Sequence, residues 1–519
     1  MTDDSGAFYY LDHFHRALSW LRVSEHARGL WPEIDAFYDL PRPAQCLVVR
    51  LIMRQKAHFR RSKLAYPEID DMGLAIDKAV AAGWLSLTHP LTLAEIGDLM
   101  TAPELRQCFG LPPGCRKGDA LMLLQADAPE PRTFYQWWAD SDDEVVTLLC
   151  RERIDRWRLA FFGNLHQQWH AFVLEEIGVR RYVPMQIDGA GFTSATEFEQ
   201  CWAISQWDGS SELPATPAGP LAERRRRAAY FYRGREFERA GLFDEAIADY
   251  RLAAARVRLV RALELRGDVA TAFRLARKVI NRPRYSSEVN ALEKALPRLA
   301  KATGIPWTRP ARQVITVEAL ALTADPSRPV ELLAAEALSL GNEQAVWVEN
   351  SLFTGLFGLL FWDAIFAPVD SAFFHPFQSA PADLYAEGFE STRAELCAAA
   401  FAALENGQYR ELISARFVDC HGLQNRFVQW DALSTGLIDC ALRTIPAKDL
   451  SCIFRRMLDD LRHHRKGFPD QGVFNRAQPS YRLVEVKGPG DALQDHQRAW
   501  LHYFGRHGID ASVLKVSWA

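Results

Sequence analysis

The chain has 519 residues, 48% of them apolar and 24% charged, an ordinary balance for a globular protein that excludes wholesale disorder and collagen-like or disulfide-scaffold classes. With 61 Lys+Arg against 65 Asp+Glu the net charge is -4, so a nucleic-acid surface would have to come from local charge. No run reaches the ~18 apolar residues of a membrane span, the acidic start MTDDSGAFYY lacks a signal-peptide pattern, and nine Cys without a CxxC pair point to a reducing, cytoplasmic compartment.

Residues 8–88 read as helical, with Phe8, Leu11, Phe14 and Leu18 at helical spacing. Within them, residues 47–63 (LVVRLIMRQKAHFRRSK) carry Arg50, Arg54, Lys56, Arg60, Arg61 and Lys63 and no acid, +6 in 17 residues. The spacing predicts an amphipathic helix with one apolar face and one basic, DNA-facing face, although a solvated surface face would show the same pattern. Residues 91–125 form two short helical patterns around the loop Gly110 to Gly114, with a capping-box pair at Thr101 and Glu104 and with Arg116 and Lys117 opening the second helix. This resembles a SAP module, a small DNA-backbone binder; any helical hairpin with a Pro-Gly turn would look alike. Residues 127–147 are acidic, contain Pro129 and Pro131, and read as a surface connection. Residues 213–221, with Pro214, Pro217 and Pro220, read as a linker.

Residues 223–285 hold 17 Arg+Lys against 8 Asp+Glu, or +9. Two stretches there, around Gly241 and Gly267, look like the turn and second helix of a tetratricopeptide-type pair. Their offset is 26 residues, against the regular ~34 of such arrays, so the expectation is a degenerate α-solenoid. Its arginines suit a phosphate backbone, and a spacer bundle is the alternative.

The C-terminal segment carries the chemistry. GFPD at 467–470 precedes a short strand-like stretch, a turn and then YRLVEVKGPG at 481–490. A hairpin would bring Asp470 to Glu485 and Lys487, which lie two apart on one strand face. Two carboxylates and a lysine at a sheet edge suit phosphodiester hydrolysis with Mg²⁺ or Mn²⁺, because hard oxygen ligands select those ions. Lys487 would orient water or stabilise transition-state charge. This is the Pro-Asp … Glu-x-Lys pattern of restriction-like nucleases; a surface hairpin with neighbouring Glu and Lys is the bland alternative. A Gly-Pro-Gly turn follows, then a helix expected to begin near Asp491 and to carry Gln497 and Trp500, as in the VRR-NUC branch. Upstream, WVENSLFTGLFGLLFWDAIF (347–366) puts Glu349 at the start of an apolar helix; there it is either a fourth acid of the site or an acid favoured by the helix dipole.

These segments, with QSAPADLY (378–385), RKGFPD and LVEVKGPGDALQDHQRAWL, resemble the Fanconi-associated nuclease family over most of the chain. The resemblance implies a multidomain, mainly α protein. Its expected parts are a helical N-terminal DNA-binding domain (1–88), a SAP-like module (89–126), a helical connecting region (127–221), tetratricopeptide-like helices (222–340) and a C-terminal α/β restriction-like VRR-NUC nuclease domain (341–519). It implies a metal-dependent, structure-specific endo- and exodeoxyribonuclease of phosphodiesterase I type. Such an enzyme cuts near the 5′ end of flaps and branched duplexes, has 5′–3′ exonuclease activity, and acts in interstrand crosslink repair. Carried over by position, Glu349, Asp470, Glu485 and Lys487 are catalytic with Gln497 as a lesser candidate, and the metal ligands are Glu349, Asp470, Glu485 and the Val486 carbonyl.

Arg462, Arg465 and Lys466 occupy the stretch that can hold a 5′-terminal phosphate. His496 stands where some members have a permanently charged base; a histidine carries only partial charge at neutral pH. The ubiquitin-binding zinc finger of animal members is absent from the pattern, which suggests a bacterial, nucleoid-associated monomer. A Holliday-junction-type resolvase and a non-catalytic branched-DNA-binding scaffold are the competing readings.

Overall fold

The computed structural model describes residues 8–54, 56–125, 130–169, 181–185, 191–308 and 314–519. Pro129 therefore lies outside the described residues. The chain divides into two compact units, residues 1–179 with 188–202 and residues 180–187 with 203–519. Among the described residues no helix is long and apolar enough to cross a membrane.

In the first unit, α1 (Tyr9–Leu21), α2 (Arg42–Ile52), α3 (Met72–Ala81) and α7 (Arg151–Phe162) surround an aromatic core. Phe14, Phe37, Trp84 and Trp157 meet edge-on or tilted there, with centroids 5.3–6.3 Å apart. The expected single helix over 47–63 is not what forms. Helix α2 ends at Ile52, the chain turns, His58–Arg60 becomes strand β1, and 61–63 is a 3₁₀ turn. Strand β3 (Val145–Leu148) pairs antiparallel with both β1 and β2 (Leu85–Ser86), His58 facing Thr147 and Leu85 facing Leu148. A strand from the expected connecting region thus completes the sheet of the N-terminal one.

The SAP-like hairpin follows its sequence signals. Thr92 with Glu95 and Thr101 with Glu104 both form reciprocal capping boxes, opening α4 (Leu93–Leu99) and α5 (Ala102–Phe109). Gly110 ends α5 in the left-handed region, and α6 begins at Lys117 and runs to Gln125.

In the second unit, α8 (Pro220–Arg239), α9 (Phe243–Leu252), α10 (Arg256–Arg266), α11 (Val269–Asn281) and α12 (Ser286–Thr303) stack in sequence. They close over Tyr250, Leu263, Phe273 and Leu296. Several of the stack's arginines are engaged by its own acids. Arg233 grips Asp249 with two bonds of 2.7 Å, Arg256 pairs with Glu288, and Arg261 and Arg298 converge on Glu264. The N-terminus of α12 fastens to the C-terminal part of the unit: the Ser286 N–H donates to Asp459 Oδ2 at 2.9 Å, and the Ser287 hydroxyl donates to Asp460 Oδ2 at 2.5 Å.

A five-stranded mixed sheet of order β4-β8-β7-β6-β5 forms the C-terminal core. Its strands are β4 (Thr316–Leu322), β5 (Glu343–Trp347), β6 (Gln471–Asn475), β7 (Tyr481–Lys487) and β8 (Ala511–Trp518). Strands β5, β6 and β7 are antiparallel; β8 runs parallel to both β7 and β4. Alternation sorts the faces. Val484, Val486, Val473 and Leu514 pack beneath α13 (Val330–Leu338). Leu483 and Phe474 face the larger core with α14 (Ser351–Leu360), α15 (Ala447–Asp459) and Trp500 and Phe504 of α16 (Asp495–His507). Helix α16 starts at Asp495 rather than near Asp491, because Gln494 and Gln497 form the capping box that sets its first turn.

Candidate active site

The hairpin of β6 and β7 builds the site. Pairing runs from Phe474 opposite Tyr481 to Gln471 opposite Val484 and stops there. One residue beyond, Asp470 turns its carboxylate into the gap and accepts the Val486 N–H at 2.8 Å. The N–H and C=O of a strand residue share one edge, so the Val486 carbonyl faces the same gap. Period two puts Glu485 and Lys487 with Leu483 on the face toward α16. Lys487 Nζ lies 2.7 Å from Glu485 Oε1, and Gln497 Nε2, from the first turn of α16, donates to the same oxygen at 2.5 Å. The amide of Gln497 is fixed by its own Oε1, which accepts the Gln494 N–H at 2.8 Å.

Glu349 arrives by a different route. The Asp470 carbonyl accepts the N–H groups of Val348 (2.9 Å) and Glu349 (3.0 Å), so the strand that ends in Asp470 also pins the end of β5. Glu349 is not in the first helical turn as expected. It lies two residues before α14 with φ 32°, a left-handed conformation unusual for a side-chain-bearing residue. The carboxylate is exposed at the rim, and Asn350 Nδ2 donates to it at 3.0 Å.

The electrostatics are those of an undercompensated acid cluster. Asp470 is 9% exposed and Glu485 0%. Burial pushes Asp470 up to about 6, with Glu331 and Glu349 adding to the rise and the Val486 N–H and Lys487 opposing it. Burial pushes Glu485 up to about 7, and the Asp470 charge adds to it against Lys487. Glu485 Oε2 is buried and has no hydrogen-bond partner. Side chains alone do not close a cage: among the described residues no three His, Cys, Asp or Glu side chains stand close enough to hold a metal ion. What exists is an open seat of two buried carboxylates and a strand-edge carbonyl, with a third carboxylate at its rim. An orphaned buried carboxylate oxygen in an all-oxygen set fits a hard divalent ion that retains waters.

Two residues here escaped the sequence reading. Glu331, in the first turn of α13, acts electrostatically on Asp470, and its backbone carbonyl is held by Gln471 Nε2 at 2.8 Å. Asn350 joins Glu349 to the Gly467 loop. Its adjacency to Glu349 before an apolar helix was the available signal, and it reads locally as an N-cap. Gly467 itself requires glycine: its φ is +88°, and a Cβ would come within 2.5 Å of the His496 ring and 2.9 Å of its backbone.

The basic candidates separate into engaged and open groups. Arg60 is buried and bonds Asp143 (2.5 Å) and Glu104 (2.9 Å). Arg50 pairs with Glu68 at 2.6 Å and lies over the Tyr10 ring, and Arg61 pairs with Glu144. Lys117 Nζ donates to the Met100 carbonyl at the end of α4 (3.0 Å). Lys56, Lys63 and Arg116 are exposed. Arg54 and Lys56 line a cleft of about 250 Å³ with Arg151, Arg158 and Asp155. Arg151 and Arg158 come from α7. Arg462 and Arg465 both lie over the Tyr385 ring (5.7 and 5.4 Å), and the exposed Lys466 accepts the Trp500 indole N–H through its carbonyl.

Three family models match the chain: a FAN1 HTH domain over residues 8–86, a Fanconi anemia-associated nuclease SAP domain over 90–137 and a VRR-NUC domain over 404–518. A Fanconi-associated nuclease 1 homolog of Pseudomonas aeruginosa is 38% identical over 98% of this chain and 96% of its own length. A homolog of the same name from Arabidopsis thaliana is 25% identical over 93% of this chain and 64% of its length. The crystal structure of paFAN1 bound to 2-nucleotide 5′-flap DNA with a gap superposes with a TM-score of 0.90 at 38% identity, covering 99% of this chain and 98% of that one. The 1-nucleotide-flap complex gives 0.89 at 37% identity, covering 99% of each chain. With a buried acid cluster built at the end of one hairpin and 98% of its length matched at 38% identity, this chain belongs to the Fanconi-associated nuclease family.

Proposed function

We propose that this chain is a metal-dependent, structure-specific DNA nuclease that incises near the 5′ end of flaps and branched duplexes, trims DNA 5′ to 3′ and serves interstrand crosslink repair. The observation that carries the reading is the buried, undercompensated trio Asp470, Glu485 and Lys487, in a chain that matches a flap-bound relative end to end. In this reading Asp470, Glu485 and the Val486 carbonyl seat Mg²⁺ or Mn²⁺, and Glu349 completes the seat from the rim. The ion supplies Lewis acidity toward the scissile phosphate and makes water a better nucleophile. Lys487, held against Glu485, would orient the attacking water or stabilise the charge that develops on the phosphoryl oxygens. Gln497 keeps the Glu485 carboxylate from rotating. Lys56, Lys63, Arg116, Arg462, Arg465 and Lys466 contact phosphates, so affinity is led by the backbone and depends little on sequence.

The test is cleavage of a labelled 5′-flap duplex with Mn²⁺, Mg²⁺ or EDTA, wild type beside Asp470→Ala. Metal-dependent incision near the junction, lost in the variant with flap binding retained, is expected. Tight flap binding without cleavage under any metal would replace the nuclease with a scaffold.

A further inference from the structure

An asparagine at a helix N-cap ordinarily spends its side-chain oxygen on the N–H of the second or third helical residue. Asn350 occupies that position before α14 and makes no such bond. Its Oδ1 instead accepts two backbone N–H groups of a distant loop, Gly467 at 2.8 Å and Phe468 at 3.3 Å. Backbone amides only donate, so these bonds fix which end of the side chain is oxygen. The Nδ2 end is left to face Glu349, and it donates to Oε1 at 3.0 Å.

The two ends connect pieces of the site that are 117 residues apart in sequence. The loop held by Oδ1 is the one that delivers Asp470, three residues after Gly467. Its path is otherwise tight: Gly467 has a positive φ, and the ring and backbone of His496 leave no room for a Cβ. The carboxylate held by Nδ2 is the only member of the acid set in the rim position. It is exposed, on a residue with φ 32°, and an unheld exposed glutamate samples many rotamers at an entropic cost on binding. The main chain already links Asp470 to Glu349 through the Asp470 carbonyl; Asn350 adds the side-chain link.

We propose that Asn350 is a positioning residue that presets the Glu349 carboxylate toward the seat formed by Asp470 and Glu485. This rests on Glu349 being a ligand of the divalent ion, as proposed above. Groups that orient a ligand typically contribute 10–100-fold to metal affinity.

The experiment is a double-mutant cycle on Mn²⁺ binding to the DNA-free full-length chain, read by the loss of the free-ion EPR signal, with Asn350→Ala, Glu349→Ala and both together. The expected result is that Asn350→Ala weakens Mn²⁺ binding by about 10-fold and weakens it no further once Glu349 is alanine. An equal loss in both backgrounds would overturn the proposal, because the side chain would then serve only the Gly467 loop. Wild-type affinity in Asn350→Ala, with Glu349→Ala weakened, would overturn it as well. Unchanged affinity in Glu349→Ala, with Asp470→Ala abolishing binding, would remove Glu349 from the ligand set and the proposal with it, while leaving the nuclease reading intact. Should Asn350→Ala melt well below the wild type without metal, Asn350→Asp takes its place. That variant keeps an acceptor for both loop amides, loses the donor and adds a negative charge beside Glu349; a change in affinity that vanishes in the Glu349→Ala background supports the coupling, and one that persists there overturns it.

Discussion

Arg60 and Glu485 are both buried ionisable groups on strands, and their surroundings differ in kind. Arg60 bonds Asp143 and Glu104, and Asp143 in turn accepts the Ser62 N–H and hydroxyl. The acids of that set are held below their ordinary range against burial, by hydrogen bonds and by Arg60. Around Glu485 the balance is left open: two buried carboxylates face one lysine, one oxygen has no partner, and burial with like charge pushes both acids up. A buried charge whose partners are all supplied by the chain maintains the fold; one left short of partners is set for something the chain does not supply.

The largest effect should come from opening the second cluster further. Asp470→Ala removes a proposed ligand and the acceptor of the Val486 N–H, and Lys487→Ala removes the cation beside Glu485. Each is expected to lower the flap-cleavage rate by about 10³-fold or more while leaving flap affinity near wild type. Full activity in both variants would dissolve the contrast. The closed cluster should respond in stability instead. Arg60→Ala strands two carboxylates and should cost about 3–5 kcal/mol, read as the earliest transition of the full-length chain in urea. A loss below about 1 kcal/mol would mean that the Arg60 set is also dispensable.

The two clusters were unequally legible in the sequence. Asp470, Glu485, Lys487 and Gln497 lie within 28 residues, on a hairpin and the next helix, so strand periodicity and one turn suffice to assemble them. The Thr101–Glu104 box was equally local. Arg60 depends on a partner 83 residues away, and β1 exists only because β3 pairs with it. Nothing in 47–63 reveals that strand, and the basic-apolar alternation read as one continuous helix. Glu349 was found as a residue and misplaced in geometry, because its φ is set by the Asp470 carbonyl 121 residues later. Asn350 was hidden by its most ordinary role. Strand β4 was missed too, since it pairs only with the final strand.

The pH response should separate the clusters by sign. Glu485 moves from 4.5 to about 7 on folding. An acid whose pKa is raised in the folded state gives a contribution fully present below the unfolded value and lost as pH rises through the folded one. The metal-free chain should therefore lose stability between about pH 4.5 and 7 through Glu485, by roughly 3 kcal/mol at about 1.36 kcal/mol per unit. Glu485→Gln removes the titration. In EDTA it should melt above the wild type at pH 8, and the gap should narrow as pH falls from about 7 toward 4.5. Mn²⁺ should raise the wild-type Tm at pH 8 and leave the variant nearly unmoved. Asp143, whose pKa is lowered, acts oppositely: its contribution is present at neutral pH and lost in acid. A gap between wild type and Glu485→Gln that widened on acidification would contradict the assignment.

The smallest expected effect concerns cations that neither cluster has claimed. Lys56 is exposed and, among the described residues, joins no ion pair; with Arg54 it lines the cleft that also holds Arg151 and Arg158. A lysine on one phosphate displaces about one condensed counterion, so its loss should weaken flap binding only several-fold at moderate salt. It should also make the slope of log K against log salt shallower by about 1. Arg60→Ala, measured below its unfolding transition, should leave that slope unchanged, because a guanidinium engaged by two carboxylates releases no ions on binding. The slopes of the two variants measure the distinction directly: charges the chain has neutralised for itself do not appear in the salt dependence, and charges it has left open do. Equal slopes would place Arg60 on the DNA after all and would require its carboxylates to release it.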